Sequence, residues 1–165
     1  MIAPARSVTT GWIVASAAGL GLLALSVVPP ILGGSAGHIV HEAFGFVCHQ
    51  IPERSLHLGG GPVALCHRCL GILMGLVAGL AGALALSPRR LRRITRSAQG
   101  RWLVLAGIPT TVDWALGALG IWANTPLSRM LTGALFGVVV GVVLAANLLA
   151  PPRFSSSPTP SLDAK

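Results

Sequence analysis

The residues best suited to chemistry are crowded into one short stretch of the sequence. All five histidines and all three cysteines lie between His38 and Cys69. Cys66 and Cys69 stand three residues apart at the predicted start of a helix, where unpaired backbone N–H groups and the helix dipole favour a thiolate over a thiol. Arg68, between them, adds a positive charge that acts in the same direction. The spacing therefore predicts sulfurs able to bind a metal or to attack a disulfide.

One interpretation of these sulfurs is a metal centre. Cys48 would be a third sulfur, and one imidazole would complete a tetrahedral Cys3His site of the kind that Zn²⁺ prefers, while copper also suits these ligands. His49 is the first candidate for the imidazole, although the neighbour of Cys48 in sequence is awkwardly placed to share its metal. The predicted metal ligands are Cys48, His49, Cys66 and Cys69, with His57 and His67 as second-rank ligands.

Two other interpretations stay open. An oxidising exterior would drive Cys66 and Cys69 toward a disulfide with Cys48 as the odd partner, so the chain could be a membrane thiol–disulfide oxidoreductase. The cysteine count argues against it, because the quinone-coupled disulfide-generating membrane enzymes that this arrangement resembles need a second dithiol pair. The third interpretation is a structural membrane subunit in which a disulfide staples the loop. Whether the protein is an enzyme stays open, and no residue is assigned a catalytic role.

Asp113 and three arginines form a second group. A carboxylate within an apolar run costs several kcal/mol in hydrocarbon unless it is paired, protonated or hydrated. Arg129 begins the next apolar run. At a rise of 1.5 Å per residue it lies about 10 Å from Asp113 along the helix axis, and Arg68 is an equally placed partner. Together with Arg54 and the three cysteines, these groups predict one shared cavity, open to the outside, that could bind a small anion or a polar lipid headgroup above a sulfur-bound metal.

The elements that must position these residues are membrane helices. Of 165 residues, 53% are apolar and only 10% are charged, against roughly 25% charged in soluble domains. Four apolar runs, at about residues 11–32, 67–88, 102–122 and 128–150, are long enough to cross a hydrocarbon core of about 30 Å. The predicted fold is all-α: a four-helix transmembrane bundle forming a single domain over residues 1–150, followed by a disordered cytoplasmic tail over residues 151–165.

The arginines predict how these spans are oriented. Six of them lie between the second and third runs, which places that loop in the cytoplasm: Arg89, Arg90, Arg92, Arg93, Arg96 and Arg101. Because successive spans alternate in direction, both termini then lie inside, and the Cys/His-rich loop between the first and second helices lies on the external, periplasmic side of the inner membrane. The formal charge of +8 thus reflects topology in a lipid bilayer rather than a nucleic-acid partner. The oligomeric state stays open.

Glycines predict how the spans pack. Two stripes repeat every four residues along one helical face, which lets helix backbones approach closely: Gly71, Gly75 and Gly79 in the second span, and Gly133, Gly137 and Gly141 in the fourth. An arginine precedes each stripe, Arg68 by three residues and Arg129 by four. This likeness suggests a parallel internal repeat with a one-residue difference in spacing.

The motifs also resemble a known family. The segments Cys48-His49-Gln50, Glu53-Arg54-Ser55 and Cys66-His67-Arg68-Cys69-Leu70-Gly71 resemble the domain-of-unknown-function 2085 family of bacterial predicted membrane proteins, and Asp113, Asn124, Arg129 and Gly133 resemble its second half. The resemblance covers most of residues 44–141 and implies no named activity. The functional positions that it implies are Cys48, His49, Arg54, Cys66, Arg68, Cys69, Asp113 and Arg129. His67 and Leu70 depart from the family pattern, which puts a special role for His67 in doubt.

Overall fold

The computed structural model describes residues 5–86, 91 and 96–149. Four of the six arginines of the predicted cytoplasmic loop (Arg89, Arg90, Arg92 and Arg93) and the predicted tail at residues 151–165 lie outside the described residues. Within them the chain is mostly helical, with one small sheet.

The first apolar run is divided between two helices, and a third helix follows it. Helix α1 covers Ala5–Ser26, the short α2 covers Val28–Leu32, and α3 covers Gly34–Gly45. The break after Ser26 has a local cause, because Pro29 and Pro30 have no N–H to donate to the preceding turn. Gly33 and Gly34 follow with φ of 57° and 55°, a left-handed conformation that favours glycine. The chain therefore turns at the end of this run and enters α3.

A β-hairpin corrects the all-α prediction. Strand β1 (Ser55–Leu58) pairs antiparallel with β2 (Gly61–Cys66), and a 3₁₀ turn at Pro52–Arg54 leads into β1. The two residues between the strands, Gly59 and Gly60, both have positive φ, 58° and 91°. A two-residue hairpin turn of the type that matches the strand twist requires positive φ at both central positions. Helical periodicity does not reveal so short a sheet, but its glycine turn is visible in the sequence.

Three long helices follow the hairpin. Helix α4 covers His67–Gly82 and continues as a 3₁₀ turn at Ala83–Ala85, α5 covers Arg96–Ala118, and α6 covers Pro126–Leu149. Helix α5 thus begins and ends earlier than the predicted run at residues 102–122. Its end is set at Gly120, whose φ is +70°, while the amides of Ile121 and Trp122 donate back to the Leu116 carbonyl.

The glycine stripes join α4 and α6 in parallel. A side-chain carbon added at Gly71 would clash with the backbone of Met130, one at Gly75 with Ala134, and one at Gly79 with Val138. The register advances by four residues on both helices at each step, so the two helices run in the same direction. The α6 stripe meets α4 in the same way, against Arg68, Ile72 and Leu76. The predicted close approach of the two stripes is therefore what holds this helix pair together.

The other two long helices flank this pair and run the opposite way. Along α5, the Thr110 hydroxyl donates to the Thr132 carbonyl of α6 at 2.8 Å, and farther along the Ser128 hydroxyl meets Asp113. Along α1, the Trp12 indole donates to the Leu80 carbonyl at 3.1 Å, and Gly19 packs beside Val77 of α4. The N-terminal ends of α4 and α6 consequently share one end of the molecule with the hairpin and the end of α5.

Two helical stretches in the described part of the chain are long and apolar enough to cross a membrane. They are His67–Ala85 and Pro126–Leu149, and a further apolar stretch, Thr10–Ser26, is shorter. They correspond to the second and fourth of the predicted spans.

Candidate metal centre

The loop after α3 carries Cys48 and is folded back against the hairpin. The Cys48 amide donates to the Phe44 carbonyl at 3.0 Å, which continues the last turn of the helix. Gln50 then adopts a φ of 49°, and its side-chain amide donates to the His41 carbonyl and, at 3.0 Å, to the Ala64 carbonyl. The Gln50 amide thus ties the end of α3 to strand β2, and this tie places Cys48 beside the end of that strand.

Cys66 and Cys69 lie where β2 becomes α4. Cys66 is the last residue of the strand and the N-cap of the helix, and Cys69 lies within its first turn. The Cys66 amide donates to the Cys48 sulfur at 3.3 Å. The sulfurs of Cys48, Cys66 and Cys69 all lie within 4.8 Å of one another, and all three cysteines are free. The structure thus brings together the three sulfurs that the sequence selected.

The sulfurs are set in an apolar surrounding. Cys48 is 4% exposed, and Cys66 and Cys69 are half-buried. Phe44, Leu65 and Leu70 are among the buried residues of this cluster. Hydrogen bonds from the side chains of Cys48 and Cys69 lower the pKa of the Cys66 thiol, against the opposing effect of burial. The site therefore favours a negatively charged sulfur at Cys66.

The structure places the predicted histidine ligands outside this sulfur group. His49 follows Cys48 but is exposed, and His57 is exposed on β1, with Nδ1 3.2 Å from the Ser55 carbonyl oxygen. His67 is 7% exposed, and its Nδ1 has no hydrogen-bond partner. Among the described residues, the sulfur group includes no ring nitrogen from these histidines.

Asp113 finds its partners at the same end of the molecule. Arg68 pairs with its carboxylate, and the Ser128 hydroxyl donates to Oδ1 at 3.0 Å. The Asn124 side-chain amide donates to the backbone carbonyl of Asp113. Of the two predicted partners, the structure selects Arg68. The Ser128 hydroxyl of α6 meets the acid, whereas the next residue, Arg129, forms no ion pair with it.

The three predicted arginines share a small pocket. Arg54, Arg68 and Arg129 line it with Asn124 and Trp114, and its volume is about 50 Å³. No cysteine lines this pocket, although the sequence suggested one shared cavity. The reason is helix geometry, because Arg68 lies about 100° around α4 from each of its neighbours in sequence. A separate apolar groove of about 570 Å³ runs past Cys69, between α1, α3 and α4.

Three positioning residues were absent from the predicted site. Gln50 orients the Cys48 loop, while Ser128 and Asn124 hold Asp113. Gln50 and Asn124 do stand in the segments that carry the family resemblance, which is the signal that could have identified them. Ser128 has no such signal, because its role depends on the rotation of α6 against α5.

Comparisons with known proteins agree with the motifs. The family model described as "Predicted membrane protein (DUF2085)" matches residues 48–143, more than half of the 165-residue chain. An uncharacterised protein of Methanocaldococcus jannaschii is 28% identical over 102 residues, which are 61% of this chain and 63% of that protein. The chain therefore spans less than two thirds of the length of this curated relative. No solved structure matches the chain.

Proposed function

The chain belongs to the DUF2085 family of predicted membrane proteins, and from that premise we propose that it is a metal-binding membrane protein. Cys48, Cys66 and Cys69 hold one thiophilic ion, zinc in first place and copper in second. The observation that carries the proposal is the mutual approach of three sulfurs within 4.8 Å. A tetrahedral ion with Zn–S bonds of about 2.3 Å separates its sulfurs by about 3.8 Å. A closure of about 1 Å or less therefore suffices to bind the ion.

The surroundings of the sulfurs favour metal thiolates over three buried thiols. The backbone amide of Cys66 donates to the Cys48 sulfur, and hydrogen bonds of this kind orient and stabilise metal-bound thiolates. The site favours a negative charge at Cys66, but the apolar residues packed around the cluster make that charge costly without a cation. A bound cation removes that cost by neutralising the sulfurs.

His49 is our candidate for the fourth ligand. Its exposed side chain is adjacent to Cys48 and is not held by packing, so it is free to change rotamer. His57 and His67 are the second-rank candidates, and the buried Nδ1 of His67 without a hydrogen-bond partner is the observation in favour of His67. His49→Ala should weaken metal binding without abolishing it, because three sulfurs remain. If His49→Ala leaves metal affinity unchanged while His67→Ala lowers it, His67 is the ligand.

We also propose that α1, α4, α5 and α6 cross the inner membrane as four spans, with both termini in the cytoplasm. Helices α4 and α6 run parallel, as alternation requires of a second and a fourth span, while α1 and α5 run against them. The hairpin and the sulfurs would then lie on the periplasmic side. A reporter enzyme that is active only in the cytosol, fused after Arg96, should be active. Activity of a periplasmic reporter at that point would invert the arrangement.

Metal content tests the proposed function directly. The full chain, purified in detergent without chelator, should contain about one zinc or copper ion, and Cys66→Ser should lose it. His38→Ala removes an exposed imidazole from α3 and serves as the control that keeps the ion. Absorption of the cobalt-substituted protein should show thiolate-to-metal charge transfer, which reports sulfur ligation independently of the mutants.

Two results would overturn the metal site. A metal-free chain in which two cysteines resist alkylation until they are reduced would indicate a disulfide, and with it either thiol–disulfide chemistry or a structural staple. A metal-free chain in which all three cysteines react with the alkylating reagent would indicate ordinary buried thiols.

A further inference from the structure

A second site lies on another side of α4, within the small pocket bordered by Arg54, Arg68 and Arg129. Arg68 and Arg129 belong to the first turns of α4 and α6, and Arg54 belongs to the 3₁₀ turn before the hairpin. Three elements that are far apart in sequence thus bring their guanidinium groups to one place. Neither the sulfur cluster nor the apolar groove beside it contributes to this pocket.

The pocket carries more positive than negative charge. No acidic residue is among those that line it, and the nearby Asp113 carboxylate is already shared between Arg68 and the Ser128 hydroxyl. In the described part of the chain, no other ion pair forms, and the neighbouring acid Glu53 is exposed. Three guanidinium groups against one carboxylate leave a formal charge of about +2. The charges of Arg54 and Arg68 also repel that of Arg129.

The helix ends add to this imbalance. The N-terminal ends of α4 and α6 lie at the same end of a parallel pair, so their partial positive charges add, and neither first turn contains an acidic residue. A cation in the first turn of a helix is unfavourable, yet both helices carry an arginine there. The buried Nε of Arg68 also has no hydrogen-bond partner. An anion in the pocket would relieve both the charge excess and the unused hydrogen-bonding capacity.

We propose that this pocket binds a phosphate group. A phosphate monoester carries about −1.5 to −2 charges at neutral pH, which matches the excess, whereas one carboxylate would leave about half of it uncompensated. Guanidinium groups bind phosphate oxygens through paired hydrogen bonds. A volume of about 50 Å³ admits one such group but not a whole nucleotide or sugar phosphate. The phosphate is either free inorganic phosphate or the headgroup of a lipid such as phosphatidic acid.

The test uses the full chain and both sources of phosphate. Inorganic phosphate is titrated by calorimetry into protein in detergent. Phosphatidic acid is added to phosphatidylcholine nanodiscs, and lipid retained by the protein is measured by native mass spectrometry. Arg54→Gln and Arg129→Gln should each weaken binding about 10- to 100-fold, the usual value of a hydrogen bond to a charged group. Arg54 is exposed and lies outside the long helices, so Arg54→Gln should leave their packing intact. It therefore still tests the pocket if Arg129→Gln does not fold.

Arg101→Gln is the matched control, because Arg101 is an exposed arginine near the beginning of α5, away from the pocket. Binding of inorganic phosphate that depends on Arg54 and Arg129 but not on Arg101 supports a free-phosphate site, and the same dependence for phosphatidic acid alone supports a headgroup site. Absence of both, or equal losses in all three variants, overturns the proposal. Cys66→Ser should still bind phosphate, so failure of the metal site and failure of this site are separately visible.

Discussion

Replacement of a glycine in the α4–α6 contact tests the packing on which both sites depend. We predict that Gly75→Ala destabilises the protein, whereas Gly82→Ala in the same helix stabilises it. A carbon added at Gly75 would lie 2.9 Å from the Cα of Ala134 and still closer to its carbonyl oxygen, and ordinary contact begins at 3.4 Å. A carbon added at Gly82 meets nothing within 4 Å. The two variants therefore change the same atoms and differ in what surrounds them.

The expected magnitude follows from this geometry. The helices must separate by about 0.5 Å or more, and gaps of that size remove about a quarter to a half of the dispersion attraction between facing atoms. Overpacking of this kind costs about 1–3 kcal/mol. The greater helix propensity of alanine offsets about 1 kcal/mol of it, and the same gain is uncompensated at Gly82. We expect Gly75→Ala to lose up to about 2 kcal/mol of unfolding free energy and Gly82→Ala to gain about 0.5–1 kcal/mol.

The measurement is an unfolding titration with sodium dodecyl sulfate in mixed micelles, followed by tryptophan fluorescence. Gly137 meets Ile72 of α4, close to the layer that Gly75 forms with Ala134. Once Gly75→Ala has separated the helices, adding Gly137→Ala should lower the unfolding free energy by less than Gly137→Ala does alone. We expect the double variant to differ from the sum of the two single variants by about 1 kcal/mol. If Gly75→Ala is as stable as Gly82→Ala, or if the two costs simply add, the parallel close contact is refuted.

Three further changes test the site and its support. Asp113→Asn leaves the Arg68 charge without its partner and should cost about 2–4 kcal/mol in the same titration; a neutral result would mean that Arg68 pairs with something else. Gln50→Glu keeps the shape but loses the donors that hold the Cys48 loop, so zinc affinity measured by chelator competition should fall about 10- to 100-fold, and an unchanged affinity would contradict the positioning role. Trp12→Phe removes the hydrogen bond to the Leu80 carbonyl of α4 and should cost about 1 kcal/mol of unfolding free energy. Its control, Trp102→Phe at an exposed position, should change that free energy by less than about 0.5 kcal/mol. Equal effects of the two variants would contradict a stabilising role for the Trp12 hydrogen bond.

The convergence of the sulfurs was predictable because it depends on local geometry. A cysteine pair at a helix start places both sulfurs near the same first turn, and Cys48 lies on the loop that leads back to it. The need of Asp113 for a partner was predictable for the same kind of reason, since an isolated carboxylate in an apolar run is costly. The nearness of Cys66 to Cys69 and the need of Asp113 for a partner follow from single elements, whereas the approach of Cys48 depends on the loop that Gln50 holds.

The features that could not be predicted depend on how elements are rotated against one another. Whether Arg68 or Arg129 reaches Asp113 is decided by the rotation of α4 and α6 about their axes. The sequence gives the distance of each arginine from Asp113 along the helix axis but not this rotation. The exposed position of His49 depends on the path of a short loop fixed by the Gln50 amide. The hairpin adds only four- and six-residue strands, too short for a periodic signal beside the adjoining helix.

The glycine register explains why two arginines at similar points in the sequence have different roles. Gly71 meets Met130 while Gly133 meets Arg68, and each glycine of α6 follows its α4 counterpart by 62 residues, as Gly133 follows Gly71. The contact is therefore symmetric about an axis between the helices, and in this symmetry Arg68 corresponds to Met130. Arg129 corresponds instead to His67.

The one-residue difference in spacing before the two stripes consequently rotates Arg129 by about 100° relative to the position equivalent to Arg68. In the same correspondence Ser128 takes the place of Cys66. The Ser128 hydroxyl donates to Asp113 of α5, and the Cys66 amide donates to the Cys48 sulfur. Helix α5 runs antiparallel to α6 as α1 runs antiparallel to α4. The first helix pair thus has the Cys66 sulfur where the second has the Ser128 hydroxyl, which donates to Asp113. Arg68, at the start of α4, forms an ion pair with the same acid. Because α4 and α6 run parallel, the sulfurs and the arginine pocket lie at the same end of the molecule, and the rotation of about 100° between neighbouring residues of α4 keeps their linings separate.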